Sequence, residues 1–144
     1  KENIIMKNKA VGGIPLNKEK KVLLQLRDNN QDIVYPGYWG LLGGRIEKNE
    51  SPFDALKREI KEEIGFDLQS AEFLGIFDDL KDNLCYVYIF PFNEKTAAIT
   101  LLEGQKLGYF NFEEIMQLQL PWPLKQLFKE RKDKIFNARY SKEQ

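Results

Sequence analysis

Glu59, Glu62 and Glu63 fall in one sector, roughly 100° wide, of the helix that the stretch after Ser51 is predicted to form. Like charges at i,i+3 and i,i+4 cost about a few tenths of a kcal/mol each in water, and more when partly buried. A helix that served structure alone would gain by replacing one of them, whereas a bound cation would reverse the sign of that cost. The chain has no His and a single Cys far from these positions, so only oxygen ligands are at hand. That donor set suits a hard cation, Mg²⁺ first and Mn²⁺ second. Mg²⁺ binds best where a substrate phosphate completes its octahedron, so a diphosphate fits this chemistry better than a carbonyl or a glycosidic bond. The competing account is an ordinary charged helix in which Glu59 and Glu63 alternate with Lys and Arg and face water.

The elements that must position these carboxylates can be read outward from the helix. Ser51 suits the N-cap, Pro52 the first helical position, and Asp54 the place of a capping-box acid. Gly65 ends the helix. Phe53, Leu56, Ile60 and Ile64 form one apolar stripe that packs on a sheet, with Asp54, Lys57 and Lys61 pointing the other way. Upstream, residues 10–16 and 21–27 read as a hairpin around a polar turn, with Val22, Leu24 and Leu26 alternating inward. Residues 1–9 are an edge strand or a loose end, and residues 28–38 are a long loop punctuated by Pro36-Gly37. Tyr35, Tyr38 and Trp39 there either stack on a flat ligand or seal the core; the core account is preferred for Trp39, and for Tyr35 the two are balanced.

Downstream, residues 71–77 and 84–92 read as strands joined by the acidic turn 78–83. Residues 99–102 and 108–112 read as further strands flanking Glu103-Gly104-Gln105. A short helix over 112–118 follows, then a second from Pro121 or Pro123 with Leu124, Leu127 and Phe128 on one face, and a tail that frays after Asn137. Strands on both sides of one charged helix, with another helix at the end, imply a mixed sheet between helices.

With 144 residues the chain is expected to form one domain, 1–144, with its core at about 10–129. Lys plus Arg and Asp plus Glu both number 22, so no net field favours nucleic acid or a membrane, and a polyanion would have to be recognised locally. Cys85 lies in an apolar run and is expected to be a small buried hydrophobe. The lack of His excludes Ser-His-Asp triads and most zinc sites. Neither a signal peptide nor a membrane-spanning run is visible, and a cytoplasmic protein is the expectation.

The region 43–66 resembles the Nudix box, Gly-x5-Glu-x7-Arg-Glu-U-x-Glu-Glu-x-Gly-U with U a bulky apolar residue. Its positions are filled by Gly44, Glu50, Arg58, Glu59, Ile60, Glu62, Glu63, Gly65 and Phe66. The resemblance, to MutT-like members of the Nudix hydrolase superfamily, implies an α/β/α sandwich with a mixed sheet. It also implies Mg²⁺-dependent hydrolysis of a phosphoanhydride bond in a nucleoside diphosphate linked to another group, a nucleoside triphosphate or a nucleotide sugar, by water attack at a carboxylate-bound metal site. Carried onto this chain, it makes Glu59, Glu62, Glu63 and the Gly43 carbonyl metal ligands, with Glu59 the box position most often proposed to activate water. Glu50 supports the loop or a water, and Arg58 orients carboxylates.

The Glu103-Gly104-Gln105 segment, followed by Tyr109 and Phe110, resembles the loop that brings a further metal-binding glutamate in MutT-type enzymes; its plain alternative is a turn. Tyr35, Arg45 and Trp122 are the candidate substrate-binding residues. Leu120-Pro121-Trp122-Pro123 occupies the region where oxidised-guanine-specific members use an Asn, and no Asn lies between Phe112 and Ile135, which argues against 8-oxo-dGTP. A non-catalytic nucleotide-sensing module of the same family is the alternative, opposed by the intact box. An isoprenoid-diphosphate isomerase would want a catalytic Cys beside the box, and an RNA-cap hydrolase a basic tract. Exposed aromatics such as Trp122 mark a candidate homodimer patch.

Overall fold

The structure, a computed structural model, describes residues 8–27, 37–78, 83–99 and 106–138. Strand β1 (Asn8–Leu16) organises the sheet. It pairs in parallel with β6 (Asn83–Pro91), from Asn8 opposite Asn83 to Leu16 opposite Pro91. Its other edge is taken by β4 (Leu42–Arg45), antiparallel, with Gly12 opposite Gly43 and Val11 opposite Gly44. Because β4 occupies that edge, β2 (Val22–Leu26) meets β1 only at Leu16 and Val22. The expected hairpin is therefore closed at its base and open above it. From there β2 pairs with β3 (Trp39–Gly40) and with β7 (Lys106–Phe110). The sheet thus forks between β2 and β4. At the far edge β5 (Glu72–Asp78) runs antiparallel to β6, with an irregularity between Phe73 and Gly75.

Helix α1 (Pro52–Ile64) covers one face of this sheet. Ala55, Leu56, Ile60 and Ile64 bury there with Val11, Leu23, Leu42 and Phe90. The other face is covered by α2 (Phe112–Gln117), α3 (Trp122–Glu130) and α4 (Lys132–Phe136). Ile115, Leu124, Phe128 and Ile135 pack there with Ile14, Val22, Leu24 and Val87. Fully burying each such side chain contributes roughly 1.5–3 kcal/mol.

The result is an α/β/α sandwich around a mixed sheet, as expected. The alternation expected of β2 holds, with Val22 and Leu24 on one face, and the two-sided cover adds that Leu23 is buried as well, against α1 on the other face. Helix α4 was not anticipated, and its five residues are held by Ile135 and Phe136, the latter ring 5.8 Å from Phe112. Ile99 follows a 3₁₀ turn at Thr96–Ala98, and the rest of the strand expected at 99–102 lies outside the described residues. Among the described residues no helix is long and apolar enough to cross a membrane.

Candidate active site

Helix α1 begins and ends as its sequence dictates. The Ser51 hydroxyl accepts from the Asp54 N–H at 3.1 Å, Pro52 sits in the first turn, and Gly65 closes the helix in the left-handed region, φ 71°, donating to the Lys61 carbonyl. The reciprocal capping box is formed at α2, between Asn111 and Glu114.

The three glutamates on the flank of α1 are not equivalent. Glu63 is 4% exposed, the Glu59 side chain 14% and that of Glu62 48%. Glu63 turns inward to the fork of the sheet, where its Oε1 accepts from the Gly43 N–H at 2.8 Å and its Oε2 from Gln25 Nε2 at 3.1 Å. Gly43 has φ 147°, and a Cβ there would fall on the Val11 carbonyl, 2.9 Å from its carbon. At Gly44 a Cβ would sit 2.5 Å from the Glu59 carboxyl carbon. The two glycines thus serve different ends: Gly43 lets β4 approach β1, and Gly44 leaves the space that the Glu59 carboxylate fills.

Arg58 stands among the acids. Its Nε and Nη2 donate to the two oxygens of Glu50 at 2.7 and 3.0 Å, its Nη1 to Glu59 at 2.9 Å and Glu62 at 3.3 Å, and its Nη2 also to the Arg45 carbonyl at 3.0 Å. Glu50 in turn accepts from the Glu47 N–H at 2.9 Å, which closes the loop before the helix. The Arg58 hydrogen bonds hold the Glu50 carboxyl down to about 2, and Glu50 above all raises Arg58. The repulsion expected among the α1 glutamates is therefore offset by a fixed guanidinium.

Among the described residues no three acidic side chains enclose a cation as they stand. The donor chemistry fits one nonetheless. All the donors are carboxylate or carbonyl oxygens, a positive group already lies between Glu59 and Glu62, and Gly44 keeps the cradle clear for Glu59. Glu59, Glu62, Glu63 and the Gly43 carbonyl are the groups that could hold it.

Beyond the two glycines, on the face that carries α3, opens a cavity of about 260 Å³. Gly43, Gly44 and Arg45 form one side of it; Phe77, Cys85 and Leu124 are among its apolar walls, with Asn83 and Arg27 supplying polar groups. Among the described residues the buried Nε of Arg27 has no hydrogen-bond partner. Of the residues expected to meet substrate, Arg45 lines the cavity, whereas Trp122 is 64% exposed and it is its neighbours Pro121 and Pro123 that line it. Trp39 packs edge-on to Phe110 at 4.9 Å and against the core, as preferred. Cys85 packs on the core and faces the cavity as well. Tyr35 and Glu103 lie outside the described residues. Gln25, Arg27 and Asn83 were not singled out in the sequence; a Gln inside the apolar run of β2 was the one available signal.

A mixed sheet between helices, with a glutamate-rich helix flank packed beside a glycine pair that also lines a cavity, defines the class as an α/β/α sandwich of the Nudix type. The NUDIX domain model matches residues 6–137, and the chain belongs to that family. It is a Nudix pyrophosphohydrolase, of a family that acts on pyrophosphate bonds in nucleotide-like substrates and generally uses a divalent metal.

Over 106 residues, 73% of this chain and 77% of the relative, it is 26% identical to the CTP pyrophosphohydrolase of Escherichia coli (strain K12). Over 69 residues, 47% of this chain and 62% of the relative, it is 47% identical to the 8-oxo-dGTP diphosphatase of Proteus vulgaris. The fold matches the crystal structure of the MutT protein from Methanosarcina mazei Go1 with a TM-score of 0.74 at 22% identity, covering 92% of this chain and 96% of that one.

Proposed function

We propose that the chain hydrolyses a phosphoanhydride bond in a nucleoside diphosphate linked to another group, a nucleoside triphosphate or a nucleotide sugar, with Mg²⁺ as cofactor and Mn²⁺ as a substitute. The observation that carries this reading is that Gly43 and Gly44, which touch the Glu63 and Glu59 carboxylates, also line the cavity. A ligand in this cavity would meet the apolar Phe77, Cys85 and Leu124 together with Arg27 and Arg45, whose guanidinium groups suit phosphates. When bound by the glutamates, a divalent cation neutralises phosphate charge and lowers the pKa of water.

The residues of the chain divide the remaining work. Glu59, Glu62, Glu63 and the Gly43 carbonyl hold the cation, with Glu103 as the further ligand from the 100–105 segment. One of these carboxylates takes the proton of the attacking water, and the anhydride oxygen leaves with the other phosphate. Arg58, locked by Glu50, keeps Glu59 and Glu62 turned toward the site without itself touching substrate. Tyr35, Arg45 and Trp122 are the residues proposed to contact the substrate.

The similarity to a CTP pyrophosphohydrolase supports testing nucleoside triphosphates first, while the lack of Asn between Phe112 and Ile135 speaks against oxidised guanine. The test is nucleoside monophosphate release over a panel of nucleoside triphosphates and nucleotide sugars, with Mg²⁺ and with Mn²⁺. Glu62→Gln and Glu63→Gln are expected to lower turnover at least about a hundredfold, near 2.7 kcal/mol of transition-state stabilisation. Turnover that survives excess EDTA overturns the proposal.

A further inference from the structure

Among the described residues only two polar side chains are buried in the interior, Glu63 and Gln25, and they are bonded to each other. Both lie at the fork of the sheet. Since β2 leaves β1 after Leu16 and Val22, the backbone of residues 41–43 faces side chains where a neighbouring strand would otherwise pair. Glu63 takes the Gly43 N–H, and Gln25 Nε2 is shared between Glu63 Oε2 at 3.1 Å and the Leu41 carbonyl at 3.4 Å. One side-chain amide thus ties β2 to the segment before the glycines and to helix α1, which are 16 and 38 residues away in sequence.

The chemistry of this tie differs from that at Arg58. A guanidinium neutralises the carboxylates it binds, and so competes with any cation for them. An amide is neutral. It fixes the plane of the Glu63 carboxylate while leaving its charge intact, and a carboxylate, with about four acceptor sites, can accept such a donor and still ligate a cation. The terminal torsion of a glutamate is intrinsically broad, so without a donor on each oxygen the plane would be free to swing. Gly43 N–H pins one oxygen and Gln25 the other.

We propose that Gln25 is a positioning residue that sets the affinity of the site for its divalent cation by holding the Glu63 carboxylate in the ligating orientation. The proposal rests on the reading of Glu63 as a cation ligand.

The test titrates Mn²⁺ alone, without nucleotide, into the metal-free full chain and follows free Mn²⁺ by electron paramagnetic resonance, in wild type, Gln25→Met, Glu63→Gln and Leu24→Val. Leu24 lies on the opposite face of β2 and serves as a control for lost packing. Removing such an outer partner of a ligand weakens metal binding by about 10- to 100-fold, and that loss is expected for Gln25→Met. Leu24→Val is expected to lower the melting temperature and leave Mn²⁺ affinity unchanged. Should Gln25→Met fail to fold, Gln25→Asn, which withdraws the amide by one methylene, carries the same expectation. If Glu63→Gln loses Mn²⁺ while the Gln25 variants bind it as wild type does, Gln25 serves only the Leu41 carbonyl and the proposal is overturned with the cation site intact. If Glu63→Gln binds Mn²⁺ like wild type, the reading of Glu63 as a ligand falls, and the proposal with it.

Discussion

Adding one methyl group to each of two adjacent glycines is expected to damage this protein in opposite ways. At Gly44 the new Cβ would meet the Glu59 carboxyl carbon at 2.5 Å and Oε1 at 2.7 Å, where ordinary contact starts at 3.4 Å. The obstacle is the far end of a flexible side chain, so it yields: the carboxylate withdraws by about 1 Å, a misplacement of the size that costs a catalytic group about a hundredfold, or about 2.7 kcal/mol. Folding loses little, because the lost contact with Arg58 is a partly exposed ion pair and alanine at a compatible backbone position returns about 0.4–1 kcal/mol through the unfolded chain.

At Gly43 the obstacle is the Val11 carbonyl, and φ is 147°. Neither can relax without parting β4 from β1, so Gly43→Ala is expected to cost about 3 kcal/mol or more in stability. Thermal melts and turnover on the best substrate of the panel, measured on both variants, separate the two effects. Wild-type kcat in Gly44→Ala, or a melting temperature as low as that of Gly43→Ala, refutes the account of how the glycines work.

Glu50 gives an acid signature. Its carboxyl is held from an ordinary 4.5 down to about 2, so its contribution to stability is complete above about pH 4.5 and is lost as pH falls through 2. Glu50→Gln should therefore flatten the fall of melting temperature between pH 4.5 and 2, and an unchanged slope contradicts the ion pair with Arg58. Tyr109 gives the alkaline counterpart: burial first, then the charges of Glu94 and Glu19, raise its hydroxyl from 10.0 to about 12, while it donates to the Glu94 carbonyl at 2.6 Å. Stability is then intact below pH 10 and declines as pH rises through 12, and Tyr109→Phe should remove that part of the decline along with the phenolate absorbance that appears near pH 12. Glu103→Gln is expected to lower kcat more than it raises KM with little change in melting temperature; full kcat across a metal titration assigns the further ligand to another residue.

What could be read from the sequence was what is encoded locally. Ser51, Pro52 and Gly65 delimit α1 within its own stretch, and Leu56, Ile60 and Ile64 announce their face by spacing. The same projection put Glu63 beside Glu59 and Glu62 as an equal. Its burial is decided by Gly43 and Gln25, 20 and 38 residues away, which no helical wheel contains. Strands β3 and β4 escaped because they are two and four residues long and three of those six residues are glycine, leaving little pattern to read. Leu23 looked like a solvent-facing position only because alternation presumes one covered face, and here there are two. Arg27 ends a strand in sequence, and its place in the cavity depends on how far β2 diverges beyond the fork.

The cavity and the glutamate helix occupy opposite faces of one sheet and share little besides β4 and the beginning of β1. That arrangement separates two kinds of selection. Under the function proposed, substitutions at Phe77, Asn83, Cys85 or Leu124 would reshape what is accommodated while α1 keeps its caps, its stripe and its acids. Substitutions along α1 have no such latitude, since each turn of the helix packs on the sheet with one side and presents a carboxylate with the next. On that reading a lineage built on this sheet would drift from one phosphorylated compound to another by altering a single wall, with the proposed carboxylate site inherited unchanged.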